Sequence, residues 1–139
     1  MEIIYRLENI EGAAKEFISF TKNYKIITFS GELGAGKTTF INAVCKALGV
    51  REPVTSPTYA LIQQYNKGNN TPLYHMDFYR IKNKEEAIDA GIEECLLTGE
   101  LCMVEWPEKA FSLFPPETVS VSIQAMPDNF RKLVVQLPQ

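Results

Sequence analysis

Apolar residues recur along the chain in two rhythms, an alternation typical of half-buried strands and a three-to-four spacing typical of amphipathic helices. Glu2 to Leu7 reads as a strand. Ile10, Ala13, Ala14, Phe17 and Ile18 then fall on one helical face, in a helix expected to end near Asn23. Lys25 to Ser30 (KIITFS) is a short apolar, β-branched run, the pattern of a strand covered on both faces of a parallel sheet. A second helix is expected from Lys37, with Phe40, Ile41, Val44, Cys45 and Leu48 on one side and Gly49 as its stop. Two strand-like runs, Thr58 to Tyr65 and Leu73 to Phe78, flank the polar turn Lys67-Gly68-Asn69-Asn70 and predict a hairpin. Lys84 to Leu97 reads as a helical stretch broken at Gly91. Leu101 to Trp106 is another apolar strand, followed by a helical turn from Pro107 to Phe111. Val119, Val121, Ile123 and Ala125 alternate with polar residues, as do Leu133, Val135 and Leu137, and Pro127-Asp128-Asn129 between them predicts a closing antiparallel hairpin. The expected architecture is α/β: a mixed sheet like that of P-loop nucleotidases, with helices packed on it and a C-terminal hairpin. No repeat or low-complexity stretch divides residues 1–139, so one domain is the simplest partition.

Between the strand at 25–30 and the helix from 37 lies Gly31-Glu32-Leu33-Gly34-Ala35-Gly36-Lys37-Thr38, a full match to G-x-x-x-x-G-K-[ST] in the strand-to-helix context that motif requires. A phosphate needs several main-chain N–H groups converging on one anion, and glycine permits the positive φ angles this takes. The backbone from Glu32 through Gly36 to Thr39 is therefore the candidate cradle, with the helix N-terminus adding donors and partial positive charge. Lys37 supplies a full charge for β and γ phosphates, and Thr38 a hydroxyl for Mg²⁺, which prefers hard oxygen ligands.

Hydrolysis further asks for a carboxylate near the ion and a group that orients water. Glu105 ends the buried run Leu101 to Val104, at a strand terminus where ligands of open α/β sheets bind. Asp77 ends the run before Phe78 in the same way. These two are the candidate catalytic and metal residues, with Thr38 as a further metal ligand. Glu108 fits better as a negative charge at a helix N-terminus. The loop Ser56-Pro57-Thr58 has the hydroxyls of a γ-phosphate switch and equally the look of a proline-stiffened connector. Trp106 can cover a nucleotide, face a partner, or pack. His75, the sole histidine, reads more readily as a hydrogen-bonded structural residue than as a catalyst.

Composition narrows the ligand. A net charge of −3 leaves no broad basic surface to grip nucleic acid unaided. Neither Asn66-Lys67-Gly68-Asn69 nor Asn83-Lys84-Glu85-Glu86 is the N-K-x-D of guanine readers, so ATP is the expected nucleotide. Acidic residues near the N-terminus and the want of an apolar run of about 20 residues predict a cytoplasmic protein without a membrane span. Cys45, Cys95 and Cys102 lack CxxC spacing and read as reduced packing residues.

Several separated motifs together resemble the TsaE family, also called YjeE, the small ATPases of bacterial tRNA threonylcarbamoyladenosine biosynthesis. They are GELGAGKTT at 31–39, TSPTYAL at 55–61, HMDFYR at 75–80, GIEE at 91–94, VEWPEK at 104–109, and Arg131 before an apolar strand. The resemblance implies that Lys37 and Thr38 serve phosphate and Mg²⁺, that Arg131 lies by the nucleotide, that Glu105 and Asp77 complete the metal and water site, and that Ser56, Pro57 and Thr58 form a switch-like loop near Trp106. It implies TsaD and TsaB as partners, tRNA reached only through that complex, and a monomer when alone. The chain departs from the family pattern at Asn42, where a basic residue is expected, and at Asn129-Phe130, where a glycine is expected.

Turnover by the isolated chain should be slow, because Arg6, Arg51, Arg80 and Arg131 are dispersed and none is placed as an arginine finger. Two other readings share the phosphate loop: a small-molecule kinase, which needs an acceptor pocket and an arginine-bearing lid, and an ATP-sensing module that does not hydrolyse.

Overall fold

The computed structural model describes residues 1–54 and 60–139. Among the described residues seven strands form one sheet: β1 Glu2–Arg6, β2 Ile26–Ser30, β3 Ile62–Asn66, β4 Pro72–Asp77, β5 Leu101–Glu105, β6 Val119–Ala125 and β7 Phe130–Gln136, in the order β1-β7-β6-β2-β5-β4-β3. The middle is parallel, β6 with β2, β2 with β5, and β5 with β4. The two margins turn antiparallel, through β7 and β1 on one side and β3 on the other. Parallel strands require coverage on both faces. Accordingly Ile26 to Phe29 and all of Leu101 to Glu105 are buried.

Helices α1 (Ile10–Thr21) and α2 (Lys37–Ala47) take one face. Their apolar stripes, Ala14 and Phe17 with Phe40, Ile41 and Val44, close on Ile27, Phe29, Met103 and Val121. Phe17 and Phe40 meet edge to face at 5.3 Å between ring centroids, an arrangement the ring quadrupoles favour. Helices α3 (Lys84–Ala90) and α4 (Ile92–Leu97), together with a 3₁₀ stretch at Pro107–Leu113, cover the other face through Ala87, Ile92 and Ala110 on Met76, Phe78, Cys102 and Val104. Gly91 separates α3 from α4 with φ of 104°, and Asn83 caps α3 by accepting the Glu86 N–H.

Element boundaries follow the sequence closely, with one correction. The strand expected from Thr58 begins at Ile62; Thr58 and Tyr59 lie outside the described residues, and Leu61 adopts φ of 62° in a turn. Its carbonyl accepts the Asp77 N–H at 3.0 Å, so an apolar residue that looks like strand instead steers the chain past the tip of β4.

The closing turn offers a second instructive position. Asn129 holds φ of 65°, as Asp128 does at 61°. Asparagine and aspartate reach this left-handed region more easily than other side chains, so the turn keeps its shape without glycine.

Candidate functional site

Three C-terminal strand ends converge at the parallel centre. β2 runs into the glycine loop, β5 ends on Glu105, and β4 ends on Asp77, which is the register partner of Glu105. Alternation puts His75, Asp77, Met103 and Glu105 on the face that packs against α2. The site therefore forms where α2 starts, and Lys37 and Thr38 open that helix.

The loop is shaped by glycine. Gly34 and Gly36 have φ of 82° and 102°. A Cβ on Gly31 would lie 2.5 Å from the Ile123 carbonyl oxygen, so that position requires the bare backbone. The first helical hydrogen bond runs from Phe40 N to Gly36 O at 3.0 Å, which leaves the N–H groups of Lys37, Thr38 and Thr39 without acceptors inside the helix. Arg131 reaches across from β7 and donates its Nε to Ala35 O at 3.1 Å, bracing the loop from the opposite side. Ala35 is buried, whereas Glu32, Leu33 and Gly34 are exposed along the loop's outer edge.

Lys37 is 4% exposed. Its ammonium donates to the carbonyls of Gly31 and Glu32, the latter at 2.9 Å, and lies 4.1 Å from the centroid of the Trp106 ring. Burial pulls the Lys37 pKa below its ordinary range, while the charges of Glu105, Glu108 and Asp77 pull it back. The cation is thus held ready over the loop and is poorly neutralised by water. An arriving polyphosphate would find it partly desolvated already.

Thr38 and Glu105 meet at the cleft: Thr38 Oγ1 is 2.8 Å from each carboxylate oxygen. The hydroxyl proton goes to Glu105, so its lone pairs stay available to a hard cation. Glu105 is 2% exposed and also receives His75 Nε2 at 2.6 Å. Asp77, 6% exposed, accepts from the Tyr79 N–H at 3.0 Å. Thr38, Asp77, Glu105, Trp106, Tyr79 and Arg80 line a cleft of about 470 Å³ beneath the loop. Among the described residues no group of three or more His, Cys, Asp or Glu could enclose a metal ion. A hydroxyl and two carboxylates are instead the donor set of Mg²⁺, which keeps waters and completes its shell with phosphate oxygens. The residues present fit that ion.

Most sequence-predicted site residues are brought together here: the loop from Glu32 to Thr39, with Asp77, Glu105, Trp106 and Arg131. Ser56, Pro57 and Thr58 lie outside the described residues. Glu108 is exposed in the first turn of the 3₁₀ stretch, as its bland reading expects, yet its charge is felt at Lys37. Two contacts here leave no signal in the local sequence. Trp106 sits at φ of 54°, a strained value for a bulky residue, which turns its ring back over Lys37 and against Tyr79. Lys109 donates to Tyr79 O at 3.2 Å and to Ile81 O, tying the segment after β4 to the segment after β5. Pro107 signals that the preceding residue avoids the right-handed helical region, but nothing local signals a left-handed tryptophan.

Comparison with known proteins identifies a family. The family model described as "Threonylcarbamoyl adenosine biosynthesis protein TsaE" matches residues 4–133. Proteins named tRNA threonylcarbamoyladenosine biosynthesis protein TsaE are similar in Treponema pallidum (36% identity over 79% of this chain and 80% of that protein), Bacillus subtilis (36%, 91% and 78%) and Rickettsia typhi (38%, 88% and 88%). A crystal structure of Bacillus subtilis YdiB superposes over 100% of this chain and 87% of its own with a TM-score of 0.77 at 30% identity. With a match spanning nearly its full length, relatives above one-third identity and the same architecture in a solved structure, the chain belongs to the TsaE family of tRNA threonylcarbamoyladenosine biosynthesis.

Proposed function

We propose that residues 1–139 act as one ATPase domain that binds Mg·ATP in the glycine loop and hydrolyses it slowly alone. Hydrolysis would quicken with TsaD and TsaB, in support of threonylcarbamoyl transfer to adenosine 37 of tRNA. The observation that carries this reading is the Thr38 hydroxyl donating to buried Glu105, whose charge is felt by the buried Lys37 ammonium. Charge for phosphate, oxygen for a divalent cation and a carboxylate at a strand end thus share one cleft.

In this mechanism the N–H groups of the loop and of the first turn of α2 orient the phosphates, and Lys37 follows the charge that builds on the β and γ oxygens. Thr38, with Glu105 and Asp77, would hold Mg²⁺ or its waters. The ion, when bound, neutralises phosphate oxygens. Glu105 then accepts a proton from the attacking water or aligns that water, and Arg131 keeps the loop from opening by its bond to Ala35 O. Beyond Thr39 a second cleft of about 420 Å³, lined by Tyr5, Ile10, Asn129 and Arg131, has the size for a base and ribose. The net charge of −3 favours reaching tRNA through the partners rather than directly. Among the described residues no helix is long and apolar enough to cross a membrane. The proposed tRNA-modification role supports a cytoplasmic location.

The test is phosphate release from ATP and Mg²⁺ by the purified chain, alone and with TsaD and TsaB, alongside candidate small-molecule acceptors. Stimulation by the two proteins is the expected result. Transfer of phosphate to an acceptor instead of water would establish a kinase, and binding without turnover a sensor.

A further inference from the structure

We infer that His75 is a positioning residue for turnover, acting through Glu105; the inference rests on the nucleotide reading above. His75 is fully buried on β4, two residues before Asp77 and therefore on the same face of the sheet. Its backbone partner on β5 is Met103, so its ring reaches diagonally along the strand to Glu105. Nε2 and Glu105 Oε2 are 2.6 Å apart. Nδ1 has no hydrogen-bond partner among the described residues.

A histidine kept for the fold alone is ordinarily bonded at both nitrogens, since an orphaned buried polar atom costs stability. Here, among the described residues, the one bond of the ring goes to the carboxylate that also accepts the Thr38 proton. A carboxylate only accepts, so Nε2 carries the hydrogen, and the bond pins one oxygen of Glu105 against β4. Without that pin, a glutamate with three rotatable bonds is free to leave Thr38, which turns the hydroxyl's lone pairs away from the cleft. His75 thus stands to Glu105 as outer partners stand to metal ligands elsewhere, where their loss typically costs about 10- to 100-fold in affinity or activity.

The test compares wild type, His75→Leu and His75→Gln in the TsaD- and TsaB-stimulated ATPase assay, with melting curves of each. Leucine fills similar volume and removes the orphaned nitrogen; glutamine restores an N–H near the place of Nε2. His75→Leu should lower kcat about 10-fold or more with KM for ATP within about threefold, His75→Gln should recover most of it, and both should melt cooperatively. A second readout needs no turnover. Because His75 is the sole histidine, its ring nitrogens give an unambiguous long-range ¹H–¹⁵N spectrum, which should show the Nε2–H tautomer and shift in Glu105→Gln. Unchanged kcat in His75→Leu, no recovery in His75→Gln, loss of cooperative melting in both, or an Nδ1–H ring would each overturn the inference. A wild-type chain that neither binds nor hydrolyses ATP would instead overturn the functional reading, and the two failures are thereby distinguished.

Discussion

At Lys37 the chain sets a charge against its own burial. The ammonium is 4% exposed, and two carbonyls and an indole face take the place of its lost water. Lys37→Ala should therefore weaken nucleotide binding itself, by about 10- to 100-fold, the worth of about 1.4 to 2.7 kcal/mol of charge-assisted bonding. Titration with a fluorescent ATP analogue reads this directly, and unchanged affinity would remove the cradle from the account. Glu105 should behave differently. Glu105→Gln keeps the shape and an acceptor oxygen but forfeits the charge and the proton-accepting role, so turnover should fall by about 100-fold or more while binding of ATP persists. Equal loss of binding and turnover in that variant would mean that Glu105 holds the ground state and not the reaction.

Among the elements, α2 matters most, because its N-terminus is the site and its C-terminus anchors the β3–β4 hairpin. Gly49 follows α2 at φ of 92°, and a Cβ there would lie 2.7 Å from both Cα and N of Gly68. Gly68 in turn donates its N–H to Leu48 O at 3.0 Å. The hairpin turn is thus pressed onto the end of α2, and β4, which carries His75 and Asp77, takes part of its placement from that contact. Gly49→Ala should cost more than about 2 kcal/mol, combining left-handed strain with a backbone clash. Gly68→Ala, whose Cβ would meet nothing closer than 3.5 Å, should stay within about 0.5 kcal/mol. Urea unfolding of the two variants checks the asymmetry, and equal effects would show that the approach is looser than it stands.

For the molecule as a whole, three buried acids lower stability as pH rises into the alkaline range. Burial pushes the Cys45 and Cys102 thiols from 9.0 up to about 12 and the Tyr5 phenol from 10.0 up to about 12, with Arg131 opposing the last. In the unfolded chain these groups lose their protons at ordinary values, whereas the native state keeps them. Their contribution is therefore fully present below pH 9 and is lost as pH rises from about 9 toward 12, at about 1.4 kcal/mol per pH unit for each titrating group. The urea midpoint should hold near pH 8 and fall from pH 9 to 11. A Cys45→Ala/Cys102→Ala variant should lose most of that slope between pH 9 and 10, before Tyr5 contributes, leaving the share of Cys95, whose thiol burial also raises; an unaltered slope would assign the alkaline loss to other groups. The same burial leaves Cys45 and Cys102 as packing residues, as their spacing suggests.

The order of strands and helices, the glycine loop and the two acids at strand ends were legible in the sequence because each follows from local chemistry: side-chain periodicity, positive φ at glycine, and the rule that parallel strands deliver ligands at their C-terminal ends. The family itself was legible too, since its motifs are short and contiguous. What depended on tertiary structure was everything set between elements distant in the chain. The sheet order places β6 beside β2 and β4 beside β5, and only that order sets Asp77 against Glu105 and brings Arg131 to Ala35. Local pattern leaves His75 a lone histidine and Trp106 a lone tryptophan. Their roles arise because β5 lies next to β4 on one side and next to the loop of β2 on the other, so a ring from each can reach Glu105 or Lys37. Such contacts join residues about 30 to 70 positions apart, and no window of sequence holds both ends.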